Sequence, residues 1–141
     1  MTDHDVIALA RDNNDTVVQI LFIRNGKLIG SDSLKLDNAD GEPDTEVLSQ
    51  FITQFYGRTN EVPRELILPG QVAEARIIES WLSNKRNSSK VQITVPKRGN
   101  KRDLIKMAEE NAGEAMRMMK AQYEADSVKQ EEALSELQAE L

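Results

Sequence analysis

The chain has 141 residues with a net charge of −6, and 39% of it is hydrophobic, enough for one domain of ordinary size with its own core. It contains no cysteine, which excludes disulfides and thiolate metal sites and makes a reducing compartment the natural home. No apolar run approaches the length of a membrane span, and the opening MTDHD lacks the basic and apolar regions of a signal peptide, so a soluble, cytoplasmic protein without membrane contact is expected.

Asp5 to Arg11, DVIALAR, reads as a buried first strand, and the ARDNND that closes it is turn material. His4 is the only histidine and lies in a polar stretch; the expectation is a solvated terminal residue, because a lone imidazole makes no metal site. Thr16 to Ile23, TVVQILFI, is rich in β-branched residues and is followed by Asn25-Gly26. A type I′ turn needs positive φ at both central positions, so this pair predicts a hairpin into a third strand from Leu28 to about Leu36.

The loop Asp37 to Pro43, DNADGEP, leads into a first helix that Asp44 or Thr45 is placed to cap, and Gly57 stands where a left-handed C-terminal residue is wanted. Val47, Leu48, Phe51, Ile52 and Phe55 recur at helical spacing. Phe51 and Phe55 could stack bases, but a stripe flanked by Leu48 and Ile52 is the mark of a core face. Glu65 to Leu68, closed by Pro69-Gly70, predicts a short buried strand. Ala75, Ile78, Trp81 and Leu82 then define a second helix ending at Lys85-Arg86, with Trp81 as a core or interface anchor.

Lys90 to Val95 predicts a fifth strand, with Val91, Ile93 and Val95 on one side. From about Asn100 a helix carries Leu104, Ile105, Ala108, Ala112, Ala115, Met116 and Met119 on one face, weakened locally by Gly113. Beyond Tyr123 the sequence is acidic and helix-forming; Leu134, Leu137 and Leu141 keep helical spacing in a stripe too narrow for a core. The expected division is a domain over 1–123 and a helical extension or linker over 124–141 whose apolar edge needs a partner.

The negative charge is unevenly placed. Residues 103 to 141 hold ten acids and four bases, whereas residues 85 to 102 contain Lys85, Arg86, Lys90, Lys97, Arg98, Lys101 and Arg102 with no acid. Lys97, Arg98, Lys101 and Arg102 crowd the start of the last helix, where the dipole and unpaired N–H groups already present positive charge. A phosphate there would relieve the repulsion, with Lys85, Arg86 and Lys90 widening the patch; the alternative is a solvated basic turn.

Three strands followed by helix, strand, helix, strand, helix make a mixed five-stranded sheet covered by helices, an order that looks like the ribonuclease H-like fold. Enzymes of that fold hold two metal ions with carboxylates in the middle of the first strand, on the first helix, at the end of the fourth strand and near the last helix. Here the first strand has Ile7, Ala8, Leu9 and Ala10 at its centre, and the fourth ends in Leu68-Pro69-Gly70. Glu46 and Asp103 fall near the other two corners, and Asp5 and Asp12 flank the first strand, but scattered carboxylates are expected to be surface residues. A nuclease site is therefore expected to be absent or degenerate. The glycines form neither a phosphate loop nor a dinucleotide fingerprint, so no cofactor or small-molecule substrate is indicated.

Four segments, DVIALARD (5–12), FIRNGKLIG (22–30), VPKRGNKR (95–102) and MAEENA (107–112), carry a resemblance that extends over essentially the whole chain. The chain resembles the UvrC subunit of the bacterial UvrABC excision nuclease, in the segment between its UvrB-binding region and its C-terminal nuclease. The resemblance implies a parent subunit that incises DNA on both sides of a lesion, and a fragment that has no counterpart of the family's catalytic residues. A non-catalytic scaffold that binds the DNA backbone is the leading expectation. A spacer or protein-interaction module meeting UvrB or the rest of the UvrC chain is the alternative, and residual metal-dependent cleavage through Glu46 or Asp103 is the third.

Overall fold

The computed structural model describes residues 3–12, 15–37 and 39–139; Asn13, Asn14, Asn38 and Leu141, on which parts of the turn, loop and leucine-stripe readings fall, lie outside them. Three long strands come first: β1 (His4–Arg11), β2 (Thr16–Arg24) and β3 (Lys27–Leu36). Then follow α1 (Asp44–Gly57), β4 (Glu65–Ile67), α2 (Ala75–Lys85), β5 (Gln92–Thr94) and α3 (Asn100–Ala139). The sheet order is β3-β2-β1-β4-β5, antiparallel through the first three strands and parallel from β1 to β4 and β5.

The local chemistry accounts for these elements. Asn25 and Gly26 both take positive φ, 53° and 74°, as the β2–β3 hairpin requires. The pairing shifts at Phe22/Ile23, leaving Ile29 as the extra residue, and Gly30 lies opposite Phe22. Two faces of the sheet are covered, which is why β1 reads as a continuous apolar run. Ile7, Val18, Ile20, Leu66 and Leu68 pack with Leu48, Phe51 and Ile52 of α1 and Ile78 and Leu82 of α2. Val6, Ala8, Leu21, Ile23 and Ile67 pack on the opposite face with Ile105 and Ala108 of α3.

Three boundaries depart from expectation. Neither Asp44 nor Thr45 caps α1; Pro43 holds the cap position, with its carbonyl accepting from Glu46 and Val47 at 3.0 and 3.1 Å. Asp44 instead accepts from Arg11 Nη1 at 2.9 Å, and the same guanidinium reaches the carbonyls of Ala39 and Glu42. Gly57 is the last helical residue rather than a left-handed terminus; Arg58 follows with φ −100°. β5 is shorter than Lys90 to Val95 because it is the edge of the sheet. Along its outer side α2 supplies the acceptors: Val91, just before the strand, donates to Ser83 Oγ at 3.0 Å and Ile93 to Glu79 Oε2 at 2.9 Å.

α3 is continuous through Gly113 and through Tyr123. Gly113 has room for a side chain: a Cβ there would meet Arg117 Nη1 at 3.7 Å, an ordinary contact with the end of a flexible side chain. Gly113→Ala should therefore stabilise the domain by about 0.5–1 kcal/mol in a urea titration, because alanine loses less backbone entropy than glycine in a helix. Past Lys120 every described residue of α3 is exposed, Tyr123, Val128, Leu134 and Leu137 included.

Candidate functional site

Two polar arrangements stand out, each assembled from residues far apart in the sequence. The first is buried. Asp5 was expected at the surface, yet it is 1% exposed, because it shares a face of β1 with Ile7 and points under α1. Its carboxylate accepts from Arg24 Nη1 at 2.9 Å and from the Tyr56 hydroxyl at 2.5 Å. Burial raises the Asp5 pKa above its ordinary value, opposed by the hydrogen bonds from Tyr56 and Arg24. Burial likewise pushes the Tyr56 phenol well up, with Asp5 adding to it, so the phenol stays a proton donor.

The second arrangement lies where β1 and β4 begin, β5 ends and α3 starts. His4 is no solvated tail: it is the first residue of β1, paired in register with Glu65 of β4, and its side chain is 13% exposed. Glu65 accepts from Thr94 Oγ1 at 2.5 Å and from Lys101 Nζ at 2.8 and 3.1 Å, with His4 Nδ1 at 3.6 Å. Burial works to raise the Glu65 pKa, but the hydrogen bonds from Lys101 and Thr94 and the charges of Lys101 and His4 outweigh it and hold the carboxyl below its ordinary value. Burial, aided by the Lys101 charge, lowers the His4 pKa against the pull of Glu65.

The seven predicted cations fall into two groups, one before β5 and one after it. Lys85, Arg86 and Lys90 stand at the exit of α2, where Asn87 and Ser88 both take positive φ, and Lys85 Nζ lies 5.6 Å from the centre of the Trp81 ring. Lys97, Arg98, Lys101 and Arg102 surround the head of α3. Lys97 and Arg98 are exposed, with no carboxylate in ion-pair range among the described residues. Lys101 is held by Glu65, and Arg102 Nη2 is 4.0 Å from Glu109. Asp103 adds a carboxylate to the first turn. The corner is thus less bare than its sequence suggests, and the compensating acid, Glu65, comes from a strand 36 residues upstream.

Of the four positions where metal-dependent enzymes of this fold carry acids, the two on strands are filled by core. Ile7, Ala8 and Leu68 are each 0% exposed. Glu46 and Asp103 lie on α1 and α3, on opposite faces of the sheet. Among the described residues, no three His, Cys, Asp or Glu side chains converge closely enough to hold a metal ion.

The family model described as "UvrC Ribonuclease H-like domain" matches residues 3–119. The chain belongs to the UvrC ribonuclease H-like domain family. Over its whole length this UvrC domain is 43% identical to the UvrABC system protein C of Symbiobacterium thermophilum, of which it covers 22%. It is 39% identical over 86% of its length to that of Clostridioides difficile, covering 21%. The chain thus spans about a fifth of the length of these curated relatives. Among solved structures, ribonuclease H1 of Halobacterium salinarum aligns with a TM-score of 0.39 and 16% identity, over 80% of this chain and 98% of that one.

Proposed function

We propose that this UvrC domain is a non-catalytic scaffold that grips the DNA backbone within an excision nuclease subunit of nucleotide excision repair, with residues 124–141 extending toward the next domain. The single observation that carries the reading is the pairing of a nuclease-type sheet whose acid positions hold Ile7, Ala8 and Leu68 with the exposed Lys97 and Arg98 at the head of α3. Phosphate contacts of this kind give affinity and position without sequence preference, which suits an enzyme acting on lesions in any context. Lys101 and Arg102 would join once DNA competes with Glu65 and Glu109, and Arg86, Lys90 and Lys85 would extend the track. The combined Lys97→Ala and Arg98→Ala variant should bind a short duplex about sixtyfold more weakly at 0.1 M salt by fluorescence anisotropy, each lost contact being worth roughly eightfold there. Unchanged affinity would remove these residues from the role.

A second reading, a protein-interaction or spacer module contacting UvrB or the neighbouring nuclease domain, is favoured by the exposed apolar edge of α3, where Leu134 is 60% and Leu137 59% exposed. It expects charge reversal at Lys101 and Arg102 to disrupt assembly and to leave DNA affinity alone.

A further inference from the structure

The His4–Glu65–Lys101 cluster is placed to do more than fill a corner. Parallel pairing of β1 and β4 sets His4 beside Glu65, and both side chains are shielded, 13% and 15% exposed. Lys101 closes the cluster from α3 and is itself 45% exposed, so an anion can reach its ammonium without entering the cluster. While Lys101 sits on Glu65, the carboxylate is compensated and His4 needs no proton. If Lys101 is drawn away, Glu65 retains the Thr94 hydroxyl but has lost its counter-charge, and an unpaired shielded carboxylate is costly. The nearest group able to replace the charge is the His4 imidazole, whose Nδ1 is 3.6 Å from Glu65 Oε1, within ion-pair range.

We propose that a backbone phosphate bound at the head of α3 takes Lys101 from Glu65, and that His4 picks up a proton from solvent and becomes the new partner of that carboxylate. This rests on the phosphate-binding reading above and adds to it a dependence on pH. The charged groups facing His4 are Glu65 from β4, Lys101 from α3, and Asp3 and Asp5 from its own segment, while Arg24 of β2 donates to its carbonyl at 3.3 Å. Of these, Lys101 is the one that holds the imidazole neutral together with burial, so its departure moves His4 toward the charged form.

His4 is the chain's only histidine, so its ring resonances are unambiguous in an NMR pH titration of the 141-residue chain. Lys101→Gln should move the His4 midpoint to higher pH, and a saturating short DNA duplex should move the wild-type midpoint in the same direction. Duplex affinity should tighten by about three- to tenfold between pH 8 and pH 6, since the complex takes up part of a proton over that window. His4→Gln should flatten that dependence. Duplex binding with an unmoved His4 midpoint, or a pH dependence that survives His4→Gln, overturns the coupling and leaves the phosphate reading standing. Absence of duplex binding at low salt overturns both, and that result is separate from the other two.

Discussion

Arg24→Met should destabilise the domain by about 2–4 kcal/mol at pH 7, and the loss should shrink as the solution is acidified. Asp5 is 1% exposed and Arg24 is its only cationic partner among the described ion pairs, so removing the guanidinium leaves a buried carboxylate with the Tyr56 hydroxyl alone. The same guanidinium donates to the carbonyls of His4 and Ile23, which would also lose a partner. The folded-state pKa of Asp5 already lies above its ordinary value because of burial, opposed by Tyr56 and Arg24; without Arg24 it rises further. A raised folded pKa means that the folded variant holds more protons than the unfolded chain, so stability is regained as pH falls and lost as pH rises through that value. Urea titrations at pH 7 and pH 5 would show a gap that narrows at the lower pH; a gap of constant size would mean that Asp5 is not the charge at stake.

Ile7→Asp should go further and cost roughly 5 kcal/mol or more, comparable to the whole stability of a domain this size. Ile7 is fully buried, lies opposite Ile20 on β2, and packs in the core that includes Leu48, Ile52 and Leu66. A carboxylate placed there loses the apolar contacts of isoleucine and is buried in a largely apolar cluster beside the already buried Asp5 carboxylate, so the charge is poorly compensated. The position is the centre of the first strand, where metal-dependent enzymes of this fold carry an acid. A variant that folded normally and took up manganese would show a site one residue short of function. A variant that unfolds shows a site replaced by core.

The layout of strands and helices was legible because each element announces itself locally: the apolar run of β1, the Asn25-Gly26 turn, and the stripe of Leu48, Phe51 and Ile52. The pairing of Phe51 and Phe55 as core also follows from that stripe, and their rings stack at 5.4 Å. The polar clusters were not legible, because their members meet only in the folded sheet. Asp5 finds Tyr56 51 positions away, and Lys101 finds Glu65 36 positions away. One signal was present and was missed: Asp5 alternates with Ile7 and Leu9, so strict alternation along β1 places it on a buried face. His4 alternates in the same way with Val6 and Ala8, but it stands just outside the apolar run, and its partners Glu65 and Lys101 come from β4 and α3. The length of β5 was likewise hidden, being set by side chains of α2 that take over its edge.

The most direct test of a framework that grips DNA without cutting it is the salt dependence of duplex binding by the 141-residue chain, measured from about 50 to 200 mM salt with magnesium present. The account predicts that log affinity falls linearly with log salt, that the slope is shallower by about 2 in the Lys97→Ala, Arg98→Ala variant, and that the duplex stays intact. Binding absent at low salt, a slope indifferent to those two residues, or strand cleavage that requires the metal would contradict it.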